Sequence, residues 1–303
     1  MNRASPTSIP WSALAAIVLL FGAIAMLQSR IDVKTSDFAI QKQELLLSSP
    51  QAIKKLSLGY DSLLGDIYWT RVVQYYGSRL AEPHPNFDLL WPLLNITTTL
   101  DPKLVVAYHF GAVFLSEQVV GANRTDLAIK LVRRGIETNP DNWYLCGDLG
   151  FLYYWRMKDY PDAVDAYLEG SKIPGAPPWM KLMAARVSAM GGSIETSRMI
   201  WSEIYESTND KNVRNMAVKE LKALKAQGDE EHLDEIAADY KERFGHYPTS
   251  TEELRAAGLV RGIPLDPEGY PYVFGADGKS KLDPRSPIVI PAQAPASSSA
   301  ASK

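Results

Sequence analysis

The chain has very little cysteine and histidine, which excludes several kinds of site. Cys146 is the only cysteine among 303 residues, so neither an intramolecular disulfide nor a cysteine-rich metal site can form. The four histidines are His84, His109, His232 and His246, and no two of them have a metal-ligand spacing such as H-x-x-x-H. Cys146 lies in a helical stretch, where we expect it to be buried as a small hydrophobe. His109 is expected to be a hydrogen-bonded core or groove residue.

Common catalytic and nucleotide-binding motifs are also absent. The chain contains no G-x-S-x-G, no P-loop and no G-x-G-x-x-G. Its net charge of −3 gives no support for binding to nucleic acid. The sequence therefore predicts a protein that is not an enzyme, needs no cofactor and has no nucleic-acid partner.

The longest apolar run lies near the N-terminus. Residues 11–27 contain no charged side chain, and the run lacks the polar face of a buried core helix. We predict an uncleaved membrane anchor. A secretory signal is the alternative, because Ala23-Ile24-Ala25 resembles a cleavage site. A single N-terminal anchor before a long body usually places that body outside the cytoplasm. Positively charged residues lie on both sides of the apolar run in similar number, so a cytoplasmic body is the alternative.

Helical periodicity dominates the middle of the chain. Apolar residues recur at helical spacing in the segments 60–79, 87–100, 104–120, 126–138, 143–155, 161–171, 179–190, 194–205 and 211–226. Turn residues separate these segments, as at Asn139-Pro140 and Gly191-Gly192. Small and large residues share helix faces, for example Ala163, Tyr167 and Gly170. This pattern predicts stacked helical hairpins.

The clearest stretch, from Asp126 to Pro174, resembles the tetratricopeptide repeat family. The residues that carry the resemblance are Leu149, Gly150, Tyr153, Ala163, Tyr167, Gly170 and Pro174. The turn prolines Pro102, Pro140 and Pro174 lie 38 and 34 residues apart, close to the repeat length of that family. The resemblance covers about residues 60–226, and a generic helical bundle is the alternative.

The resemblance implies an α-solenoid with a groove for a peptide or partner protein. In that family the first helix of each hairpin lines the groove. By matching positions, the predicted groove residues are Lys103, Tyr108, Asn142, Tyr144 and Arg156. The array is degenerate, because extra residues separate Gly111 from Ala128, and Ser197 stands where alanine is usual.

A different unit is predicted from residue 229. The segment G-H-Y-P-T at 245–249 precedes a short helix at 251–258, for which Ser250 and Glu253 form a capping box. The segment P-L-D-P-E-G-Y-P-Y at 264–272 leads into a strand at 270–274, and Asp277-Gly278 predicts a hairpin. Over about residues 240–284 these motifs resemble the C-terminal region of type II secretion major pseudopilins. That resemblance implies a helix packed on a few strands.

The pseudopilin resemblance has two further implications. Some pseudopilins bind calcium at a nearby loop, so Asp266 and Glu268 form a weak candidate calcium site; no other metal site is predicted. The anchor lacks the pseudopilin cleavage signature, so we do not expect assembly into a pilus. Together with an exported body, the resemblance implies a bacterial inner-membrane protein with a periplasmic body.

The predicted fold class is mainly α, and five regions are expected. They are an anchor or signal at 1–30, a connector at 31–58, tetratricopeptide-like repeats at 59–228, a pseudopilin-like α+β module at 229–287 and a disordered tail at 288–303. The predicted function is a membrane-anchored scaffold for binding other proteins or peptides, expected to be envelope proteins. The alternative is a structural subunit of a bacterial envelope assembly for secretion, pilus formation or polysaccharide export.

Overall fold

The computed structural model describes residues 49–290 and, nearer the N-terminus, only Leu20, Gly22 and Met26. The predicted anchor, most of the predicted connector and most of the predicted tail therefore lie outside the described residues. None of the helices that the structure describes has both the length and the apolar character needed to cross a bilayer.

Within residues 49–290 the chain is mainly helical, as the sequence predicts. The α-helices are α1 Pro50–Leu56, α2 Asp61–Leu80, α3 Leu90–Leu100, α4 Val105–Ser116, α5 Thr125–Thr138, α6 Trp143–Phe151, α7 Tyr160–Ser171, α8 Trp179–Met190, α9 Ile194–Ser207, α10 Lys211–Phe244 and α11 Thr251–Ala256. A π-helical segment at Leu152–Met157 continues α6. The strands β1 Val273–Phe274 and β2 Ser280–Lys281 form an antiparallel pair.

The chain divides into two compact units. The first unit contains the residues up to Tyr75 together with Phe87–Asp101, and the second contains Tyr76–Asn86 and the residues from Pro102 onwards. In the first unit α1 packs against α3, whose Leu90 and Leu94 are fully buried.

In the second unit, helices α4 to α10 pack in chain order, each against the next, which is a helical repeat-like architecture. Glycines allow the close approach. A Cβ atom on Gly135 would lie 2.8 Å from the ring of Tyr108, and one on Gly150 would lie 2.8 Å from the ring of Tyr167. Both tyrosines are buried. The predicted pairing of small and large residues is therefore present in the packing.

The Asn-Pro turn after α5 is tied to the turn before α4. The side-chain amide of Asn139 donates to the carbonyl of Pro102 at 2.9 Å and to the carbonyl of Gly135 at 3.0 Å. The Thr138 hydroxyl also donates to the Pro102 carbonyl, at 3.2 Å. The bonds to Pro102 join two successive turns of the array.

The π-helical segment departs from the regular helix predicted for residues 143–155. It ends at Lys158, whose φ of 58° lies in the left-handed region, and the N–H of Asp159 donates to the carbonyl of Tyr153 at 3.0 Å. A π-helical turn accommodates an added residue within a helix. Periodicity averaged over a window does not detect one added residue, so the sequence predicted a uniform helix.

Helix α10 corrects the predicted helix break around residue 228. The periodicity predicts a helix that ends at residue 226 and a different unit from residue 229, whereas the structure has one continuous helix, Lys211–Phe244. A glycine inside a helix costs only about 1 kcal/mol relative to alanine, and no proline interrupts this segment. Lys225 and Asp229 form an ion pair of 3.0 Å across Gly228, which supports the continuous helix.

The C-terminal part of the chain packs on the second half of α10. Its core contains Leu233, Tyr240, Leu254 and Tyr272. The predicted Asp277-Gly278 hairpin is confirmed by the pairing of β1 with β2. The hairpin is tied to α10, because the N–H of Ser280 donates to the Asp234 carboxylate at 2.6 Å.

The predicted capping box of α11 is present in part. The Ser250 hydroxyl accepts the N–H of Glu253 at 3.4 Å, as expected. The Glu253 carboxylate accepts the N–H of Thr249 at 3.0 Å, one residue before the position that a standard capping box would use.

Asp283 makes the fold of this region sensitive to acid. Its carboxylate accepts hydrogen bonds from the Arg285 side chain at 2.9 and 2.7 Å and from the Arg285 backbone N–H at 2.8 Å. The Arg285 side chain, followed by its backbone N–H, lowers the pKa of Asp283 from 3.8 to about 2. Because the pKa is lower in the folded state, the ionised carboxylate contributes stability that is present above 3.8 and is lost as the pH falls through about 2.

We therefore expect Asp283→Asn to destabilise the protein at neutral pH but not in strong acid. Urea unfolding followed by circular dichroism at a series of pH values measures the difference between variant and wild type. The difference should shrink steadily between pH 3.8 and about pH 2. A difference that does not change with pH would contradict the assignment. Glu252→Gln, at an exposed position, is the control and should show little effect at any pH.

Candidate functional site

Helices α4 and α6 each present exposed apolar side chains on one side. On α4 these recur at steps of four and three residues, and on α6 with its π-helical continuation they recur at steps of seven and four, which keeps them on one face. The set comprises Val106, Phe110, Val113, Tyr144, Phe151 and Trp155, and we name it the α4–α6 face. Each of the six is between 37% and 51% exposed.

A histidine–aspartate pair joins the two helices within this face. Nδ1 of His109 lies 2.8 and 3.0 Å from the two carboxylate oxygens of Asp148, and its Nε2 lies 3.3 Å from the hydroxyl of Tyr144. The imidazole therefore lies between the carboxylate and the Tyr144 hydroxyl, with each ring nitrogen within hydrogen-bond distance of one of them. The His109 ring also contacts the rings of Phe110 and Tyr144, each with centroids 4.7 Å apart.

Burial controls the electrostatics around Asp148. Burial raises the pKa of the Asp148 carboxyl, and the hydrogen bond and charge of His109 offset this only in part. Burial, with smaller effects of Tyr154 and Asp148, also raises the pKa of Tyr167 to about 12. The Asp148 carboxylate therefore depends on its hydrogen bond to His109, and His109, Asp148 and Tyr144 form one polar cluster on an otherwise apolar surface.

An ion pair fixes the π-helical segment to the end of α4. Nη2 of Arg156 lies 2.9 Å from the carboxylate of Glu117. The same carboxylate accepts the N–H groups of Gln118 and Val119 at 3.0 and 3.2 Å. The Val119 N–H is the largest cause of the lowered pKa of Glu117, and Arg156 adds to it. Nε of Arg156 is buried and has no hydrogen-bond partner among the described residues.

The π-helical segment places Trp155 at the end of the face. The Trp155 indole stacks nearly parallel to the ring of Phe151, at 14° and with centroids 6.4 Å apart. Nζ of Lys158 lies 4.6 Å from the centre of the indole, within the range of a cation–π contact. Half-exposed tryptophans held in place by neighbours are the side chains that most often dominate binding energy at protein interfaces.

Of the five residues predicted for the groove, two lie at the α4–α6 face. Tyr144 belongs to it, and Arg156 lies beside it in the ion pair with Glu117. Asn142 is the N-cap of α6, and its side-chain oxygen accepts the N–H of Tyr144 at 3.1 Å. It therefore positions Tyr144 by starting the helix.

The other two predicted groove residues have structural contacts. The Lys103 ammonium donates to the carbonyl of Thr138 at the C-terminal end of α5. Tyr108 is fully buried, and its ring packs where a side chain on Gly135 would otherwise lie. Tyr108 is thus a packing residue, which corrects its predicted place on a groove surface.

The prediction of the groove missed five of the six residues that form the face: Val106, Phe110, Val113, Phe151 and Trp155. The steps between Val106, Phe110 and Val113 are visible in the sequence, and so is the expectation of a hydrogen bond for His109. The partner of His109 lies 39 residues away, in the next hairpin. Only the register between two helices brings them together.

A separate cleft of about 820 Å³ lies between α9 and α10. Four of its charged side chains pair with one another: Arg198 lies 3.0 Å from Glu195, and Lys225 lies 3.0 Å from Asp229. Glu231 is the fifth charged residue of the lining, and one carboxylate beyond the two pairs does not form a site for an ion.

The calcium site predicted at Asp266 and Glu268 gains no support from the geometry. Asp266 accepts the N–H groups of Glu268 and Tyr270 at 2.8 and 2.9 Å, and it also accepts the Ser286 hydroxyl. Burial raises the pKa of Asp266, but these donors together outweigh it and the net shift is downward. Glu268 pairs with Lys222. Within the described part of the chain, no group of three or more histidine, cysteine, aspartate or glutamate side chains is arranged to hold a metal ion.

Comparison with known proteins gives no family for this chain. No protein family model matches it, and no curated protein matches it at a significant level. The α4–α6 face is therefore interpreted from its own residues.

Proposed function

We propose that the chain is a membrane-anchored scaffold whose tetratricopeptide-like α-solenoid binds a peptide or partner protein on the α4–α6 face. The observation that supports this most is the row of half-exposed aromatic side chains, Phe110, Tyr144 and Trp155, on the first helices of two successive hairpins. In the tetratricopeptide family these helices line the groove.

The chemistry of the face favours a protein partner over a small ligand. Exposed aromatic side chains bury large apolar areas on binding, at roughly 25 cal/mol per Å² of apolar surface. The Tyr144 hydroxyl, which lies 3.3 Å from Nε2 of His109, adds one fixed polar group that a backbone N–H or hydroxyl of the partner can meet. An apolar surface with a few fixed polar groups is the usual composition of an interface core.

The proposed location is the bacterial inner membrane, with residues 11–27 as the anchor and the body in the periplasm. The pseudopilin-like module at the C-terminal end would provide a second surface for contact with envelope proteins. This location rests on the sequence alone, through the apolar run and the two resemblances.

A second candidate function is a structural subunit of an envelope assembly. The continuity of α10 favours it, since one helix belongs to both the repeat array and the C-terminal module. A rigid connection of this kind suits a fixed component better than a flexible adaptor. Co-purification of one partner at constant stoichiometry under all growth conditions would favour this candidate.

Site-specific photo-crosslinking in cells tests the proposed binding face. A photoreactive amino acid at position 155 is expected to give a discrete adduct of higher mass with a partner protein, because Trp155 is half exposed at the end of the face. Immunoblotting and mass spectrometry of the adduct measure this.

Position 199 is the matched control for the crosslinking. Met199 is 67% exposed on α9, so it is as accessible as Trp155 but lies outside the α4–α6 face. No adduct at 155, or the same adduct at 155 and 199, would contradict the proposed face.

A further inference from the structure

The junction between α1 and α2, in the first unit, exposes a dense group of apolar side chains. They lie within twelve residues of sequence and are Leu56 at 77% exposed, Leu58 at 87%, Tyr60 at 67%, Leu63 at 57% and Ile67 at 45%. We name these five residues the junction patch. Scattered exposed apolar residues are normal, whereas a contiguous group of this kind marks a surface that contacts something apolar.

The backbone holds the patch outward. Leu58 has a φ of 50°, in the left-handed region that is unfavourable for leucine, and Gly59 follows with a φ of 91°. The N–H of Tyr60 donates to the carbonyl of Ser57 at 2.9 Å, and the Ser57 hydroxyl donates to the carbonyl of Lys54 at 2.6 Å. The turn is thus fixed by hydrogen bonds in a conformation that projects Leu58 into solvent.

Helix α2 extends the patch along one side. Tyr60, Leu63 and Ile67 follow steps of three and four residues, so they share a face. The opposite face contains Tyr68 and Val72, which are buried. The exposed residues are therefore the outer face of an amphipathic helix whose inner face is already used.

Two lysines lie at the N-terminal end of the patch. Lys54 and Lys55 occupy the last turn of α1, directly before Leu56. Lys54 donates to the carbonyl of Thr99 at 3.1 Å, and Lys55 is exposed. Two carboxylates, Asp61 and Asp66, follow in α2, so the lysines concentrate positive charge at one end of a segment with no net charge. Apolar side chains beside lysines, with a tyrosine among them, are typical of surfaces that rest in the headgroup region of a bilayer.

The position of the patch in the chain points to the same partner. The apolar run ends at Leu27, and the described chain resumes at Ser49, so 21 residues separate the two. Fully extended, 21 residues span at most about 75 Å. Among the described residues from Ser49 onwards, the junction patch is the first dense group of exposed apolar side chains, and its short distance along the chain from the run gives it a high effective concentration at any bilayer that holds the run.

We propose that the junction patch rests on the lipid surface, with Leu58 among the acyl chains and Lys54 and Lys55 near anionic headgroups. The proposal rests on the proposed function only in that the anchor brings the patch to the bilayer. It assigns the first unit a second attachment to the membrane, which would restrict the orientation of the body.

Fluorescence quenching by lipids tests this in the full-length chain. In a Cys146→Ala background, Leu58→Cys is labelled with an environment-sensitive fluorophore and reconstituted into vesicles of phosphatidylethanolamine and anionic phosphatidylglycerol. Some vesicles contain lipids with brominated acyl chains, which quench nearby fluorophores. Val119→Cys is the matched control, because Val119 is 88% exposed and belongs to the second unit.

We expect brominated lipid to remove most of the emission of the probe at position 58 and little of that at position 119. Lys54→Gln with Lys55→Gln should reduce the loss at position 58. An unquenched probe at 58, or equal quenching at both positions, would overturn the proposal.

Extraction with alkaline carbonate separates this result from that of the anchor. If the chain resists extraction while the probe at 58 is unquenched, the junction patch proposal fails and the anchor stands. If carbonate releases a chain whose probe at 58 was quenched, the patch is supported and the anchor fails.

Discussion

Replacing Gly150 by leucine is expected to lower the free energy of unfolding by about 3 kcal/mol. A Cβ at this position would lie between 2.8 and 2.9 Å from three ring atoms of Tyr167. The ring cannot move aside, because Tyr167 is only 2% exposed and packs edge-on against Trp179 at a centroid distance of 6.2 Å. The new side chain would therefore separate α6 from α7.

Urea denaturation measures this effect, and Gly77→Leu is the matched control. No atom lies within 4 Å of a Cβ at Gly77, which lies inside α2. Leucine there should be neutral or stabilising by up to about 1 kcal/mol, since it has the higher helix propensity. Similar destabilisation by both substitutions would show that close helix approach at Gly150 is not the cause.

The contact between Gly150 and Tyr167 shows which parts of the fold the sequence could predict. Small and large residues at helical spacing define a packed face, and Asn-Pro turns define helix ends. These are local signals, so most helices start or end within a few residues of their predicted limits. The Asp277-Gly278 hairpin was predictable for the same reason, because a glycine readily takes the positive φ that a tight turn needs, and Gly278 has a φ of 78°.

Other features depend on information that a local pattern does not contain. The π-helical segment differs from an ordinary helix by one added residue. Helix α10 continues through Gly228 because residues before it, such as Ala226, and after it, such as Leu233, are buried. This packing outweighs the low helix propensity of glycine.

The candidate site was predictable only in part, for a related reason. Tyr144 follows from the repeat pattern, but the pairing of His109 with Asp148 depends on the register between α4 and α6. The burial of Tyr108 likewise depends on Gly135 from another helix. Matching positions to a family places residues on a helix, whereas the packing of this chain decides which of them reach the surface.

Replacing Trp155 by serine is expected to weaken partner binding by about 30-fold, equivalent to about 2 kcal/mol, without unfolding the protein. The indole is 51% exposed, stacks on Phe151 and lies under the ammonium of Lys158. An aromatic side chain that its neighbours hold in place loses little conformational entropy on binding. Serine removes the apolar area while leaving the buried residues of α6 unchanged.

Met199→Ser is the matched control for this loss. Met199 is 67% exposed on α9, so its replacement removes a similar exposed apolar side chain outside the α4–α6 face. Both variants should keep the circular dichroism spectrum and urea midpoint of the wild type to within about 1 kcal/mol in unfolding free energy, as is usual for surface substitutions.

The most direct measurement for the proposed scaffold is quantitative mass spectrometry of proteins that co-purify with the full-length chain from solubilised membranes. Wild type, Trp155→Ser and Met199→Ser would be compared at equal amounts. We expect at least one partner to be recovered equally by wild type and Met199→Ser and to be strongly depleted with Trp155→Ser. Equal recovery of every protein by all three forms would contradict binding on the α4–α6 face.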